Sequence, residues 1–451
     1  MTAKNDSTQK HGNYKLPIVI MFALFFMIAF VTGYQNPLGD VIKKMAGGNA
    51  ILSQLGNFAN FIAYACMGYP AGIILEKSGY RVTALWAVTV GFTGVLITYL
   101  SGFVDSNTSA LIIYLIGAFV AGFSMCMLNT VVNPMLNSLG RNQKQGNQLV
   151  QFGGSCNSLG ATLAPVIVGG LIGGEASSIA AVNPVFYMSM VIFAVAAIVL
   201  YFSKLPEAPD FGKKKEKIPA KLALRFPNFK FGFIAIFCYV GIEVGISNLS
   251  TQYLTENGII KEASIMSSLT PDAIAGTIVG IYWFLMLIGR FIGGAIGSKV
   301  SSRSMLTVTS SLAIILLILG ITTSESAISF IGFDSGKMAF SIVNVPLNVI
   351  FFILCGLCTS VMWGAIYNLS VQGLGKYTAV ASGLFMMMVC GGGIFPFLQS
   401  LIANISILAS FWLPTALCAY ILCYALFLSH PSKSVPQETE HLYEDGQEIV
   451  A

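Results

Sequence analysis

Three asparagines, Asn129, Asn133 and Asn137, follow one another at i, i+4 and i+8 inside an otherwise apolar run. On an α-helix that spacing places them in one stripe. The next run carries Gln148, Gln151, Ser155, Ser158 and Thr162 at steps of three and four, a second stripe. Carboxamides donate and accept hydrogen bonds without carrying charge, so such stripes suit the hydroxyls of a polar solute in a wet central cavity. A second reading stands beside this one: the amides and hydroxyls bond one helix to another. Aromatic residues recur further on, as Tyr282-Trp283 and as Trp363 with Tyr367 four residues later. A flat ring covers the apolar face of a pyranose, and each of these rings equally suits a core or a membrane interface. Two charges, Glu243 and Arg290, interrupt the apolar runs. Glu243 admits four readings: proton carrier, cation ligand, partner of a buried base, or an acid fixed by helix contacts. Arg290, toward the expected inner end of its helix, is expected to snorkel to water.

No catalytic constellation accompanies these residues. The three histidines, His11, His430 and His441, lie outside every apolar run, and no two acids pair within one. Cys355 and Cys358 form a CxxC inside an apolar run without a second pair, which reads as packing rather than metal binding. No enzyme, cofactor or metal site is expected.

The elements that must position such residues are membrane helices. Of 451 residues, 55% are hydrophobic and 10% charged, against about 25% charged in a soluble domain. So few charges cannot coat a soluble enzyme. The net charge of +5 gives no reason to expect a nucleic-acid partner. Charge-free or nearly charge-free runs long enough to span a bilayer begin at Leu16 and recur down the chain. The run from Met338 to Gly375 is one, and Tyr377–Ser432 divides at Asn404-Ile405-Ser406. The expectation is an all-α membrane protein of twelve transmembrane helices. The first run is too long for a cleaved leader and lacks its cleavage pattern.

A basic stretch splits the spans six and six. The expected organisation is a cytoplasmic tail (1–16), a first six-helix bundle (17–203), a basic linker (204–230), a second bundle (231–429) and an acidic tail (430–451). With both termini cytoplasmic, 20 of the 24 Lys and Arg fall inside, leaving Lys43, Lys44, Lys261 and Lys337 outside. That bias predicts a multi-pass protein of the plasma (inner) membrane, with the lipid bilayer as its surroundings. A monomer is expected.

The halves echo each other. A shift of 235 residues lays Leu139-Gly140-Arg141 on Leu374-Gly375-Lys376 and Asn133 on Asn368. A shift of 221 lays Gly68 and Gly72 on Gly289 and Gly293, so the second half holds a longer loop near 325–337. Six plus six helices in parallel duplication resemble the major facilitator superfamily, whose fold is two pseudo-symmetric six-helix bundles. Gly72-Ile73-Ile74-Leu75-Glu76-Lys77-Ser78-Gly79-Tyr80-Arg81 is similar to that superfamily's Gly-x-x-x-Asp-Arg-x-Gly-Arg-Arg loop, which implies a gating role for Glu76, Lys77 and Arg81. Within the superfamily, Tyr239-Val240-Gly241-Ile242-Glu243-Val244, Gly289-Arg290-Phe291-Ile292-Gly293, Gly373-Leu374-Gly375-Lys376-Tyr377-Thr378 and Asn157-Ser158-Leu159-Gly160-Ala161 resemble the fucose permease family.

That resemblance implies a sugar:cation symporter for a hexose or deoxyhexose such as fucose, galactose or glucose. The family's proton-linked members carry an Asp on helix 1 and a Glu on helix 4. Those positions fall on Gln35 and Asn129, amides that cannot carry a proton, so a proton, sodium or no co-transported ion all stand open. The expected sugar site takes Gln35, Asn36, Asn129, Asn133 and Gln151 from the first half. From the second it takes Asn248, Gln252, Trp283, Trp363, Tyr367 and Asn368, with Glu243 as the coupling acid. Three prolines are expected to break helices near the site: Pro37, Pro134 and, with Gly391-Gly392-Gly393, Pro396. The alternatives are a facilitator or exporter of another small polar solute, and a transporter-like sensor, for which the short tails leave no output domain.

Overall fold

The computed structural model describes residues 14–45, 50–140, 143–172, 178–207, 220–256, 271–297, 299–323, 326–334, 339–374 and 378–430. The first half holds α1 (Lys15–Gly33), α2 (Gln35–Met45), α3 (Ala50–Leu100), α4 (Asn107–Ser138), α5 (Gln143–Ile172) and α6 (Asn183–Phe202). The second holds α7 (Pro227–Glu256), α8 (Pro271–Ile296), α9 (Ser302–Thr322), α10 (Leu347–Thr359), α11 (Met362–Val371), α12 (Thr378–Met387), α13 (Gly391–Ala403), α14 (Ile407–Ser410) and α15 (Trp412–Cys423).

Ten stretches among the described residues are long and apolar enough to cross a bilayer. One of them, Leu52–Phe103, is two spans folded at Gly79, where φ is +77°. Glycine adopts that left-handed angle without strain. The helix that carries the polar stripe, α5, supplies the twelfth span. Several spans are built in pieces: α10 with α11, α12 with α13 across a short turn at Met388–Cys390, and α14 with α15. The break at Asn404-Ile405-Ser406 stands where expected, with Ser406 Oγ capping α14 through Ala409 N at 3.2 Å.

Burial separates central from peripheral helices. In its most apolar window α7 is 72% buried, whereas the window holding α6 is 28% buried. The α6 surface carries Val191, Val195, Ile198, Tyr201 and Phe202 exposed, as a lipid-facing wall requires. Close backbone approaches hold the bundle together, as small residues allow in membranes. A Cβ on Gly391 would lie 2.0 Å from Phe237 O, and one on Gly356 2.2 Å from Tyr282 O.

Two expectations are corrected. The run from Met338 is not a single span. β1 (Ala327–Asp334) pairs antiparallel with β2 (Ala339–Pro346), from Ala327 opposite Pro346 to Asp334 opposite Ala339. The β-branched alternation of Ser341-Ile342-Val343-Asn344-Val345 favours a strand, and the helix starts after Pro346, whose ring suits a helix entry. The fold is therefore helical with one hairpin in the longer second-half loop. Pro134 does not interrupt α4 either, which runs through it to Ser138. The break in the first span falls at Tyr34, just before Pro37, and the Leu38 amide still donates to Tyr34 O at 3.2 Å.

Candidate functional site

A cavity of about 170 Å³ lies between the halves. At about 10–15 Å³ per water on that measure, it holds on the order of ten waters or one small polar ligand. Its first-half wall comes from α1, α3, α4 and α5, its second-half wall from α7, α8, α11 and Val389.

The first-half wall sets five amides, Asn57, Asn129, Asn133, Gln151 and Asn157, among apolar side chains such as Phe25, Ile28 and Phe61. Asn129 and Asn133 line it as the α4 spacing requires, whereas Asn137, a turn further on, is exposed beside Gly146. Asn129 Nδ2 donates to Tyr64 Oη at 3.1 Å and to Met125 O at 3.1 Å. Asn133 Nδ2 donates to Asn129 O at 2.9 Å. Gln151 also lines the cavity and reaches across to the other half, where a Cβ on Gly364 would lie 2.3 Å from its Nε2. Two hydroxyls of the α5 stripe turn back on their own helix: Ser155 donates to Gln151 O at 3.1 Å and Thr162 to Ser158 O at 2.8 Å.

Trp283 and Trp363 line the opposite wall with Val240, Val244, Asn248 and Glu243. Tyr239 and Phe385 pack edge-on against the Trp363 ring at 6.1 Å and 5.8 Å, which holds the indole in place. Asn248 Nδ2 donates to Gln54 Oε1 at 3.1 Å, joining α7 to α3.

Other expected residues lie elsewhere. Tyr367 turns away to bond Ser382 at 2.9 Å and pack on Phe385. Neither Gln252, which is buried, nor the half-buried Asn368 lines the cavity. One turn along a tilted helix separates a cavity residue from a packing one, and the stripe pattern does not resolve that difference. The side chains of Gln35 and Asn36 lie outside the described residues.

Arg290 overturns its expectation. It does not snorkel: it is 8% exposed and lines the cavity. Its Nη2 lies 3.6 Å from Glu243 Oε1, and its Nη1 donates to Gly154 O at 2.5 Å and Ser158 Oγ at 2.7 Å. A charge held in a membrane protein needs a counter-charge and full hydrogen bonding, and a second-half acid with first-half acceptors supplies both. The geometry places a base, Arg290, beside Glu243. Many further cavity residues escaped the sequence reading, among them Asn57, Phe61, Tyr64, Asn157 and Ser360. Asn57 and Tyr64 lie seven residues, two helix turns, apart in an apolar run, a pattern too sparse to stand out.

At the end bearing the 76–81 loop, Glu76 and Lys77 are exposed. Arg81 Nε donates to Leu200 O at 3.2 Å, its Nη2 bonds Tyr201 O, and its guanidinium sits 5.9 Å over the Tyr201 ring. The acid at the new helix start is Glu207, from the linker side of α6, which accepts from Tyr80 N at 2.7 Å. At the same end the halves meet closely: Phe152 lies against Phe291 at 5.7 Å, and a Cβ on Gly68 would lie 2.5 Å from Met387 Cγ.

Around this inter-half cavity the sequence decides the family: the Major Facilitator Superfamily model matches residues 20–395. The chain belongs to the Major Facilitator Superfamily. It is a multi-pass membrane transporter of that superfamily, not an enzyme. It is 27% identical over 435 residues to a "Glucose/galactose transporter" of Brucella abortus, covering 94% of this chain and 96% of that one. An "L-fucose-proton symporter" of Escherichia coli is 21% identical over 440 residues, 92% of each chain. The crystal structure of the superfamily transporter FucP in its outward conformation superposes with a TM-score of 0.68 at 18% identity, covering 92% of this chain and 99% of that one. At that identity the likeness concerns the fold.

Proposed function

We propose that this chain carries an uncharged monosaccharide, a hexose or deoxyhexose, across the membrane by alternating access, in symport with a cation. The observation that carries this reading is the cavity itself: amides on one wall, two indoles on the other, between halves able to rock about it. The glucose/galactose and fucose relatives, matched over nearly their full length, support the same substrate class. Both termini are assigned to the cytoplasm on the Lys and Arg distribution. Removing Arg290 from the loops does not alter that bias.

The proposed sugar site is the subset of expected residues that lines the cavity, Asn129, Asn133, Gln151, Asn248, Trp283 and Trp363, joined by Asn57, Tyr64 and Asn157. Coupling is assigned to Glu243 and its pair with Arg290, because Asn129 cannot titrate. The 76–81 loop acts as a gate through the packing of α3 on α12 beside it.

Purified protein in liposomes tests the reading. Labelled galactose, glucose or L-fucose is expected to accumulate above equilibrium under an inward proton or sodium gradient. A folded protein that admits none of the three sugars overturns the sugar assignment.

A further inference from the structure

The amides of the cavity are not interchangeable donors and acceptors, because four of them have already committed an N–H group to the main chain. A carboxamide has two N–H donors and one carbonyl acceptor. Asn57 Nδ2 donates to Gly392 O at 3.2 Å, and Asn157 Nδ2 to Phe25 O at 3.1 Å. Asn129 Nδ2 donates to Met125 O and to Tyr64 Oη, both at 3.1 Å. Asn133 Nδ2 donates to Asn129 O at 2.9 Å and approaches Asn129 Oδ1 at 3.5 Å. Each of the four therefore gives an N–H to a main-chain carbonyl. A main-chain carbonyl only accepts, so nitrogen and not oxygen must face it, and the orientation of each amide is decided by chemistry.

All four residues line the cavity. With the nitrogens turned to backbone, Asn129 has both N–H groups committed and Asn57, Asn133 and Asn157 have at least one each, while the side-chain carbonyl of each gives no hydrogen to the main chain and stays able to accept. On the facing wall Asn248 lines the cavity, is 6% exposed and pairs with the side-chain amide of Gln54, and its Oδ1 as placed is buried without a hydrogen-bond partner among the described residues. A buried acceptor with no donor is a costly state that a ligand's hydroxyl proton relieves. Within the amide cluster Tyr64 is the complement: its oxygen accepts from Asn129, so its own proton remains to be given.

We propose that the amide wall is an acceptor surface. It reads ligand hydroxyls as hydrogen-bond donors, through the side-chain carbonyls of Asn57, Asn129, Asn133 and Asn157, with Asn248 opposite. The inference rests on the sugar reading above and deepens it: the site selects for hydroxyl protons, not merely for polar atoms at the ring positions.

Fluorine tests this, because a C–F group accepts weakly and cannot donate. Galactose, glucose and L-fucose, with their deoxy and deoxyfluoro analogues at each ring position, are used to compete against labelled sugar uptake in proteoliposomes. At the positions that face the wall, the deoxyfluoro sugar is expected to compete as poorly as the deoxy sugar, each about tenfold weaker than the parent. In Asn133→Ala protein, the penalty at one of those positions is expected to shrink to about onefold. Deoxyfluoro sugars that compete as well as the parent wherever the deoxy sugar is weak overturn the proposal and leave the sugar reading intact. Parent sugars that neither enter nor compete, in a protein shown to be folded, overturn the sugar reading and this inference with it.

Discussion

Asn129 sits at the crossing of three interactions. It anchors Tyr64, accepts from Asn133 and faces the cavity. A neutral hydrogen bond contributes about 1 kcal/mol net, and more when its loss strands a buried partner. Asn129→Ala is expected to lower sugar uptake at least about tenfold, with the amount of protein in the membrane unchanged. Unchanged uptake would take α4 out of the site. Glu243 differs, because its role is charge. Arg290 needs it, and an ion that binds at Glu243 must compete with Arg290 at 3.6 Å. Glu243→Gln is expected to abolish gradient-driven accumulation while sugar counterflow persists. Loss of both would assign Glu243 to holding Arg290 alone. Counterflow and net accumulation, measured on the same vesicles, decide between the two.

Among the elements, the fold at Gly79 shows how one position organises two helices. Its φ of +77° disfavours any side chain, and a Cβ there would lie 2.4 Å from Glu207 Oε2. Glu207 in turn accepts from the Tyr80 amide at the start of the second helix of α3, where a carboxylate also meets the positive end of the helix dipole. Gly79→Ala is therefore expected to destabilise more than Glu207→Ala, whose loss of a helix cap costs about 1 kcal/mol. Thermal unfolding in detergent reads both, and equal midpoints would remove the strain argument. Helix positions and the turn at Asn404-Ile405-Ser406 were legible from apolar runs, because lipid enforces length and hydropathy on every span. The hairpin was not: residues 338–346 carry no charge, and in a charge-free run strand and helix segments look alike.

At the scale of the whole molecule, alternating access requires the α5–α8 contact to part whenever the linker-side end opens. Arg290 bonds Gly154 and Ser158 there, and Phe152 packs on Phe291. At the opposite end, α8 carries Gly276 and Gly280, where a built Cβ would meet nothing within 4 Å. A disulfide between Phe152→Cys and Phe291→Cys is expected to arrest transport when oxidised and release it on reduction. Transport that continues in the oxidised, fully cross-linked protein would mean that this contact does not open in the cycle.

The sequence by itself determined the membrane class, the six-plus-six helices, the amide stripe on α4 and the presence of one acid and one base in the spans. Each of these follows from local composition and helical period, which neighbours in space do not change. Only the tertiary structure decided that Glu243 and Arg290 meet, that Arg290 crosses to α5, and that Asn57, Tyr64 and Asn157 join the cavity while Tyr367 and Asn368 do not. Those facts depend on helix tilt and rotation. Tilt and rotation are set by packing between segments more than a hundred residues apart, such as Gly154 against Arg290, and periodicity within one helix carries no record of them.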